Sequence, residues 1–320
     1  MFFPKLTLMK LKENTSSKNT NKSICILLTD HNSINEAIFI KSLKKIKKNK
    51  FKKIYIVGDK LKFKKIYNSI KNLKKIIYIN CSIKNKDLKR YLKEITQISF
   101  KLYKQDKIKI LINLPLNKKK YLYKKYNGYT EFFSKEFDNK NNENMLLYNE
   151  NFSVCPLTTH IELSKVEKII TFQKILNCVI NIENFFTNAL KKKKQIVILG
   201  FNPHASQDFV KKNLDNTVIK NAISNIKRKY KKIDLVGPVS ADTAFLNAKN
   251  KVFIGMYHDQ VLIPFKIINK FKGINITIGK RLLRLSMDHG TGLNVIKKNK
   301  KIKNQSFLYA LSFCEKFLYA

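Results

Sequence analysis

SICILLT, residues 23–29, is an unbroken apolar run that opens into a polar turn, TDHNSINEA (residues 29–37), and then into apolar residues at helical spacing as far as Ile46. A segment apolar at every position has no solvent face, so it suits a strand buried on both sides of a parallel sheet. The same unit recurs. Lys53–Val57 (KIYIV) precedes a helix near residues 61–73, Ile76–Ile79 precedes a longer one over about 87–103, and Lys109–Asn113 reads KILIN. Strands alternating with helices at this spacing predict an α/β fold with helices on both faces of its sheet.

Beyond Leu114 the chain is first polar and then aromatic as far as Phe133, a candidate arm or substrate loop. Short strands are expected at 145–147 and 153–155, then one long helix over 165–190. The βα rhythm returns with Gln195–Leu199, helices reaching Tyr230, Ile233–Val236, Val252–Met256 and Ile274–Ile278. Helices at 291–296 and 305–318 are expected to close the chain. Residues 1–22, polar and lysine-rich, read as an unordered leader. Residues 23–320 read as one catalytic unit of two subdomains, with a boundary near 140–155.

The formal charge is +43, from 65 Lys and Arg against 22 Asp and Glu. The excess is spread over nearly every segment, as at Lys44–Lys53, Lys118–Lys125 and Lys297–Lys303. A nucleic-acid surface needs its charge gathered on one face, so this pattern reads as solvated lysine faces with weak, salt-sensitive affinity for polyanions. The five cysteines form no CxxC pair and sit in apolar contexts, which points to reduced core thiols and a cytosolic compartment. No apolar run is long enough to span a membrane.

Chemistry gathers in the second half. Met256–Lys266 (MYHDQVLIPFK) puts His258, Asp259, Gln260 and Lys266 directly after a buried strand, where open α/β sheets bind ligands. Four of the five histidines (His160, His204, His258 and His289) fall in polar settings after residue 155, and His31 stands apart. Any one of them alone reads equally well as a hydrogen-bonded structural residue. Three at separate strand ends or turns point to a shared divalent cation with positions open for substrate. Lys266, Asn275 and Arg284 follow in order and together offer two positive charges and an amide, the set a phosphate needs.

These motifs carry a resemblance. TTH (158–160), GFNPHA (200–205), GPVSADTAF (237–245), MYHDQVLIPFK, GINITIG (273–279) and SMDHGTG (286–292) resemble the 4-hydroxythreonine-4-phosphate dehydrogenases of vitamin B6 synthesis. LPLNK (114–118) and GYTEFF (128–133) extend the likeness upstream. The resemblance implies a fold like that of the isocitrate and isopropylmalate dehydrogenases, with mixed sheets flanked by helices and two interleaved subdomains around a cleft. It implies a homodimer whose two subunits both contribute to the active site, a divalent metal (Zn, Mg, Mn or Co), and NAD or NADP. The implied substrate is 4-phosphooxy-L-threonine, a small phosphorylated amino acid, oxidised and decarboxylated to 3-amino-2-oxopropyl phosphate. Position by position, it implies His160, His204 and His258 as metal ligands and Tyr129, Thr130, Lys266, Asn275 and Arg284 as substrate-binding residues. Asp242 is implied as an active-site carboxylate, with Lys266 beside it in catalysis. Asp259, Gln260, Asp288 and His289 are expected to orient the ligands.

Three departures from the family pattern carry expectations of their own. TDHNSINEA stands in place of a Gly/Pro-rich loop, Tyr129 replaces a histidine, and Ser206, Gln207 and Asp208 replace glycines. A phenol cannot carry positive charge, and side chains hinder close backbone approach, so weaker phosphate and nucleotide binding is expected. Two other readings stay open: a dehydrogenase for erythronate or threonate 4-phosphate, and a degenerate scaffold that binds nucleic acid.

Overall fold

The computed structural model describes residues 22–122, 126, 128–138, 142–209, 212–270, 272–292 and 302–319. The expected leader, all but Lys22, and residues 293–296 of the helix expected over 291–296 lie outside these residues; 291 and 292 are not helical.

The strands are β1 (Ile24–Leu27), β2 (Ile54–Gly58), β3 (Ile76–Asn80), β4 (Ile110–Asn113), β5 (Asn144–Tyr148), β6 (Ser153–Pro156), β7 (Gln195–Leu199), β8 (Leu235–Val239), β9 (Lys251–Gly255), β10 (Ile274–Ile278) and β11 (Leu283–Met287). They join in one sheet of eleven in the order β3-β2-β1-β4-β11-β10-β5-β6-β9-β7-β8. Each end is a parallel block, β3-β2-β1-β4-β11 on one side and β6-β9-β7-β8 on the other. Antiparallel pairings of β10 with β11 and β5, and of β5 with β6, join the blocks. This is the expected mixed α/β architecture, held in a single continuous sheet. The chain crosses to the second block and returns, because β11 pairs with β4.

Side-chain alternation along the strands explains where a cleft opens. On one face Ile24, Ile54, Ile110, Leu146, Cys155, Val252, Ile276 and Leu285 belong to one core that runs the width of the sheet. The opposite face carries two separate cores. One, over the first block, contains Cys25, Val57, Leu111 and Tyr129; the other, over the second, contains Met145, Val154, Val197 and Phe253. Between them the central strands turn polar residues outward: Asn113 of β4, Arg284 and Ser286 of β11, and Asn275 and Thr277 of β10.

Three sequence expectations need correction. β11 was not foreseen, since in LRLSM Arg284 and Ser286 interrupt the apolar run expected of a central strand, and the segment follows β10 closely. The single helix expected over 165–190 is broken: Val166–Ile169 ends in extended backbone at Ile170, and Phe172–Glu183 starts afresh. Thr171 is the cause, its side chain capping the second helix by accepting from the Lys174 N–H. The segment from His258, read as a polar strand end, is a helix over His258–Asn269 that starts directly after Tyr257.

Candidate active site

Arg284 is the centre of the cleft floor. It is only 2% exposed, yet no carboxylate lies within ion-pair distance of it among the described residues. Its Nε donates to Asn113 Oδ1 at 2.6 Å, and its Nη1 donates to Thr130 Oγ1 at 3.2 Å and Thr277 Oγ1 at 3.3 Å. Burial lowers the guanidinium to about 10, which leaves it cationic at neutral pH. Its hydrogen-bond partners are neutral and the Glu131 carboxylate acts on it only from beyond ion-pair distance, so the charge is incompletely compensated and an anion completes it.

Tyr129 supports this cation differently from the way the sequence suggested. Its hydroxyl is engaged with Thr96 Oγ1 at 2.9 Å in the core, on the helix Leu88–Lys104, and is not offered to a phosphate. Its ring lies 4.8 Å from the guanidinium carbon, a cation–π contact. Replacing an imidazole by a phenol therefore exchanges a second positive charge for an aromatic platform under the first.

The imidazoles come from neighbouring strand ends. Leu157 N donates to Gly255 O at 2.7 Å and Thr158 Oγ1 to Met256 O at 2.7 Å, which ties the exits of β6 and β9 together. The His160 and His258 rings consequently stand 5.4 Å apart, centroid to centroid. His258 Nδ1 meets Asp259 Oδ1 at 2.6 Å, an orientation that presents Nε2 to a ligand. His160 has a positive φ of 44°, rare for a non-glycine residue, and its Nε2 lies 2.9 Å from Lys118 Nζ.

Glu131 faces His160 Nδ1 at 3.8 Å and accepts from Thr159 Oγ1 at 3.0 Å. A Cβ on Gly128 would lie 2.8 Å from Glu131 Oε2 and 3.3 Å from His160 Cε1, so a side chain there would push the Glu131 carboxylate from its place beside His160. Burial alone would raise the Glu131 carboxyl, but His160, its own backbone and Thr159 outweigh it and draw the group down to about 2. A depressed carboxyl contributes stability that is present above its ordinary value of 4.5 and lost as the pH falls through 2. Denaturant unfolding at pH 6 and pH 3.5 is expected to show Glu131→Gln losing about 1 kcal/mol less than wild type over that interval, after allowance for partial exposure. An equal loss in both proteins contradicts the assignment.

Other expected site residues are placed elsewhere. Gln260 is a staple: its Oε1 accepts from Met256 N at 2.7 Å, and its Nε2 donates to Gly200 O at 2.7 Å. It fixes the start of the helix that carries His258 and touches no imidazole. His204 does not line the cleft. It sits beyond β7 in a run of left-handed residues (His204, Ala205 and Ser206), with Nδ1 2.7 Å from Asp208 Oδ2, a contact that raises its pKa. Buried Asp215 holds this loop, accepting from Phe201 N, Asn202 N, Asn202 Nδ2 and Ser206 Oγ. Asp242 accepts from Ser240 Oγ at 2.6 Å, is held low chiefly by that bond, and lies near His204, outside the cleft. Among the described residues no three His, Cys, Asp or Glu side chains are arranged to hold a metal ion. One chain supplies a pair of imidazoles.

The cavity between the two cores has a volume of about 280 Å³. Thr130, Lys266, Asn275, Asp288 and His289 line it, as do Asn113, Lys118 and Ser286, which sequence reasoning did not single out. Lys118 was hidden in a lysine run, although it ends the LPLNK motif. Lys266 Nζ donates to the Asp288 backbone oxygen at 3.1 Å. Seven buried side-chain polar atoms have no partner among the described residues; three belong to residues that line the cavity, Asn275 Oδ1, Asp288 Oδ1 and His289 Nε2, and a fourth, Glu131 Oε2, lies behind Gly128 of its wall. Native interiors pair such atoms, so their concentration in one cavity marks a ligand site.

The family model of the pyridoxal phosphate biosynthetic protein PdxA matches residues 21–314. A 4-hydroxythreonine-4-phosphate dehydrogenase from Sulfurihydrogenibium sp. is 31% identical over 301 residues, covering 86% of this chain and 92% of that protein. The one from Aquifex aeolicus is 37% identical over 213 residues, 65% of either chain. Among solved structures, a 4-hydroxythreonine-4-phosphate dehydrogenase from Klebsiella pneumoniae superposes with a TM-score of 0.75 at 21% identity, covering 93% of this chain and 99% of that one. At that identity the superposition bears on fold alone.

Proposed function

The chain belongs to the family of the pyridoxal phosphate biosynthetic protein PdxA, and from that premise we propose that it oxidises and decarboxylates 4-phosphooxy-L-threonine to 3-amino-2-oxopropyl phosphate, with NAD or NADP as hydride acceptor. The observation that carries this reading is Arg284, a buried cation without a carboxylate, facing a cavity with two converging imidazoles.

In this reading Arg284, Lys266, Thr130 and Asn275 bind the phosphorylated substrate, while the Tyr129 ring and Asn113 keep the guanidinium in place. His160 and His258 are two of the metal ligands, oriented by Glu131 and Asp259. Together with a third ligand these imidazoles would hold a divalent cation, which would supply Lewis acidity at the substrate's hydroxyl-bearing carbon. Hydride leaves the hydroxyl-bearing carbon for the nicotinamide, and the hydroxyl proton leaves to a base. In the resulting β-keto acid the bond to the carboxylate breaks, its electrons pass toward the carbonyl oxygen as CO₂ departs, and the enol is protonated on carbon.

His204 and Asp242, adjacent to each other but outside this chain's own cleft, are assigned to the site of a second copy in a two-fold dimer. Mixing His204→Ala and His258→Ala chains tests both the activity and the sharing. Each variant alone is expected to form no NAD(P)H from 4-phosphooxy-L-threonine. After subunit exchange, random pairing regenerates one intact site per mixed dimer, about a quarter of wild-type activity. If the mixture stays as inactive as its components, the shared-site reading fails.

A further inference from the structure

We propose that the turns entering β3, β2, β1 and β4 form a cationic edge that binds the phosphate backbone of single-stranded nucleic acid, at the end of the first parallel block away from the cleft. The inference is independent of the reaction proposed above.

Along the sequence the basic residues are spread, but the strand register collects some of them. Ile76, Ile54, Ile24 and Ile110 pair in one row across β3, β2, β1 and β4. With neighbouring strands about 4.8 Å apart, the turns that lead into them share an edge about 14 Å wide. Ile54 N donates to Lys75 O at 2.9 Å, Ile24 N to Lys53 O at 3.2 Å and Lys52 N to Lys22 O at 2.9 Å. Lys75 Nζ reaches Lys47 O at 2.7 Å, which draws two of the turns together. Residues 43–53, 71–75 and 104–109 hold seven, three and three lysines against one acid, Asp106. Ten of these thirteen lysines are exposed, so their charge faces solvent. From the helix Gln305–Tyr319, Glu315 meets Lys45 at 2.5 Å and accepts from Lys50 N at 2.9 Å.

Helix dipoles account for part of this pattern. Lys45, Lys47, Lys48 and Lys104 lie in the last turns of their helices, where a cation is favoured. Lys50, Lys52, Lys53, Lys74 and Lys107 lie beyond the helix ends, and like charges gathered there repel one another until an anionic partner relieves them. Acids of the same block stand at its other end: Asp30 and Asp59 follow β1 and β2, and Asp87 caps the start of the helix Leu88–Lys104. The block is polarised along its strands. Tyr319 adds a second element. It is 41% exposed, its hydroxyl donates to Lys50 O, and Lys22 Nζ stands 4.0 Å from its ring centroid. An exposed ring among cations is a stacking platform for an unpaired base, which favours a single strand over a duplex. A bilayer asks instead for several apolar side chains to insert. Among the described residues of this block, the only large exposed apolar residue besides Tyr319 is Leu61, which follows β2 at the other end.

Fluorescence anisotropy tests this on the full chain, with a labelled single-stranded RNA of mixed sequence about 12 nucleotides long. Wild type is expected to bind at about 150 mM salt with Kd on the order of 10⁻⁵ M, and log K to fall against log salt with a slope of about −4, as for about six phosphates. A chain carrying Lys52→Gln, Lys53→Gln, Lys74→Gln and Lys107→Gln is expected to bind at least about 10-fold more weakly, with a slope shallower by about 3. Lys64→Gln, Lys168→Gln, Lys220→Gln and Lys249→Gln together remove the same charge from exposed positions on separate segments, and are expected to change Kd less than about 3-fold. Both variants should keep the wild-type melting transition and kcat/KM, since none of these side chains lines the cleft. Equal losses of affinity in the two variants overturn the proposal, as does wild type that fails to bind at about 150 mM salt. Vesicles of phosphatidylserine and phosphatidylcholine bound more tightly than the RNA overturn it in favour of a membrane surface, and weaker binding to them supports it.

Discussion

Arg284→Met is expected to lower kcat/KM for 4-phosphooxy-L-threonine about 10³-fold, close to 4 kcal/mol, while leaving the fold nearly as stable as wild type. The two halves of this result have separate causes. The guanidinium is buried without a carboxylate, so its full charge is available to a substrate anion, and in a cleft shielded from water that attraction is strong. The same burial makes the side chain a weak contributor to folding, because a desolvated cation whose counter-charge, Glu131, lies beyond ion-pair distance is costly. Methionine removes that cost but leaves Asn113 Oδ1 without its donor, so a net change within about 2 kcal/mol is expected. If the phosphate is bound equally in ground and transition states, most of the kinetic loss falls on KM. Steady-state kinetics together with denaturant unfolding checks both parts. A collapse in stability with kinetics intact would make Arg284 a structural residue.

His258→Ala is expected to lower turnover on the order of 10³- to 10⁴-fold, the several kcal/mol that Lewis-acid stabilisation contributes. His258 is the cleaner of the two imidazole probes, because its ring contacts Asp259 and stands opposite His160, with no part in the core. His160→Ala removes a ligand too, but it also frees Lys118 and Glu131, so its effect mixes chemistry with local rearrangement. Titration calorimetry with Zn²⁺ or Mn²⁺ gives a second readout independent of turnover. Wild-type affinity in His258→Ala would remove this residue from the metal site.

Much of the architecture was legible because the buried strands announce themselves. Ile24–Leu27, Ile54–Val57 and residues 110–112 are apolar at every position, and the parallel block built from them is buried on both faces. β11 was not legible for the same reason. A central strand is expected to be wholly apolar, yet Arg284 and Ser286 alternate with Leu283, Leu285 and Met287, one set facing the cleft and the other the core. The polar positions that hid the strand are the ones that line the site.

Local sequence also named most of the cleft residues, since His160, His258, Lys266, Asn275 and Thr130 all meet there. It could not say that the Tyr129 hydroxyl would be taken by Thr96, 33 residues away, or that Gln260 would bridge two strand exits. Those outcomes depend on which core a side chain joins, which is a tertiary property. Glu131 and Lys118 were passed over because a lone acid and one lysine among many carry no periodic signal. Neither helix length nor apolarity in the described residues reaches what a membrane crossing needs, as the sequence suggested.

The central claim is that the paired imidazoles and the buried guanidinium serve one oxidative decarboxylation. It is tested most directly by following NAD(P)H and CO₂ together when the protein is given 4-phosphooxy-L-threonine, NAD⁺ or NADP⁺ and a divalent cation, beside a His258→Ala control. Equal molar amounts of reduced nucleotide and CO₂ from wild type, with neither above background in the control, are the predicted result. Wild type that yields no more of either than the control would contradict the account.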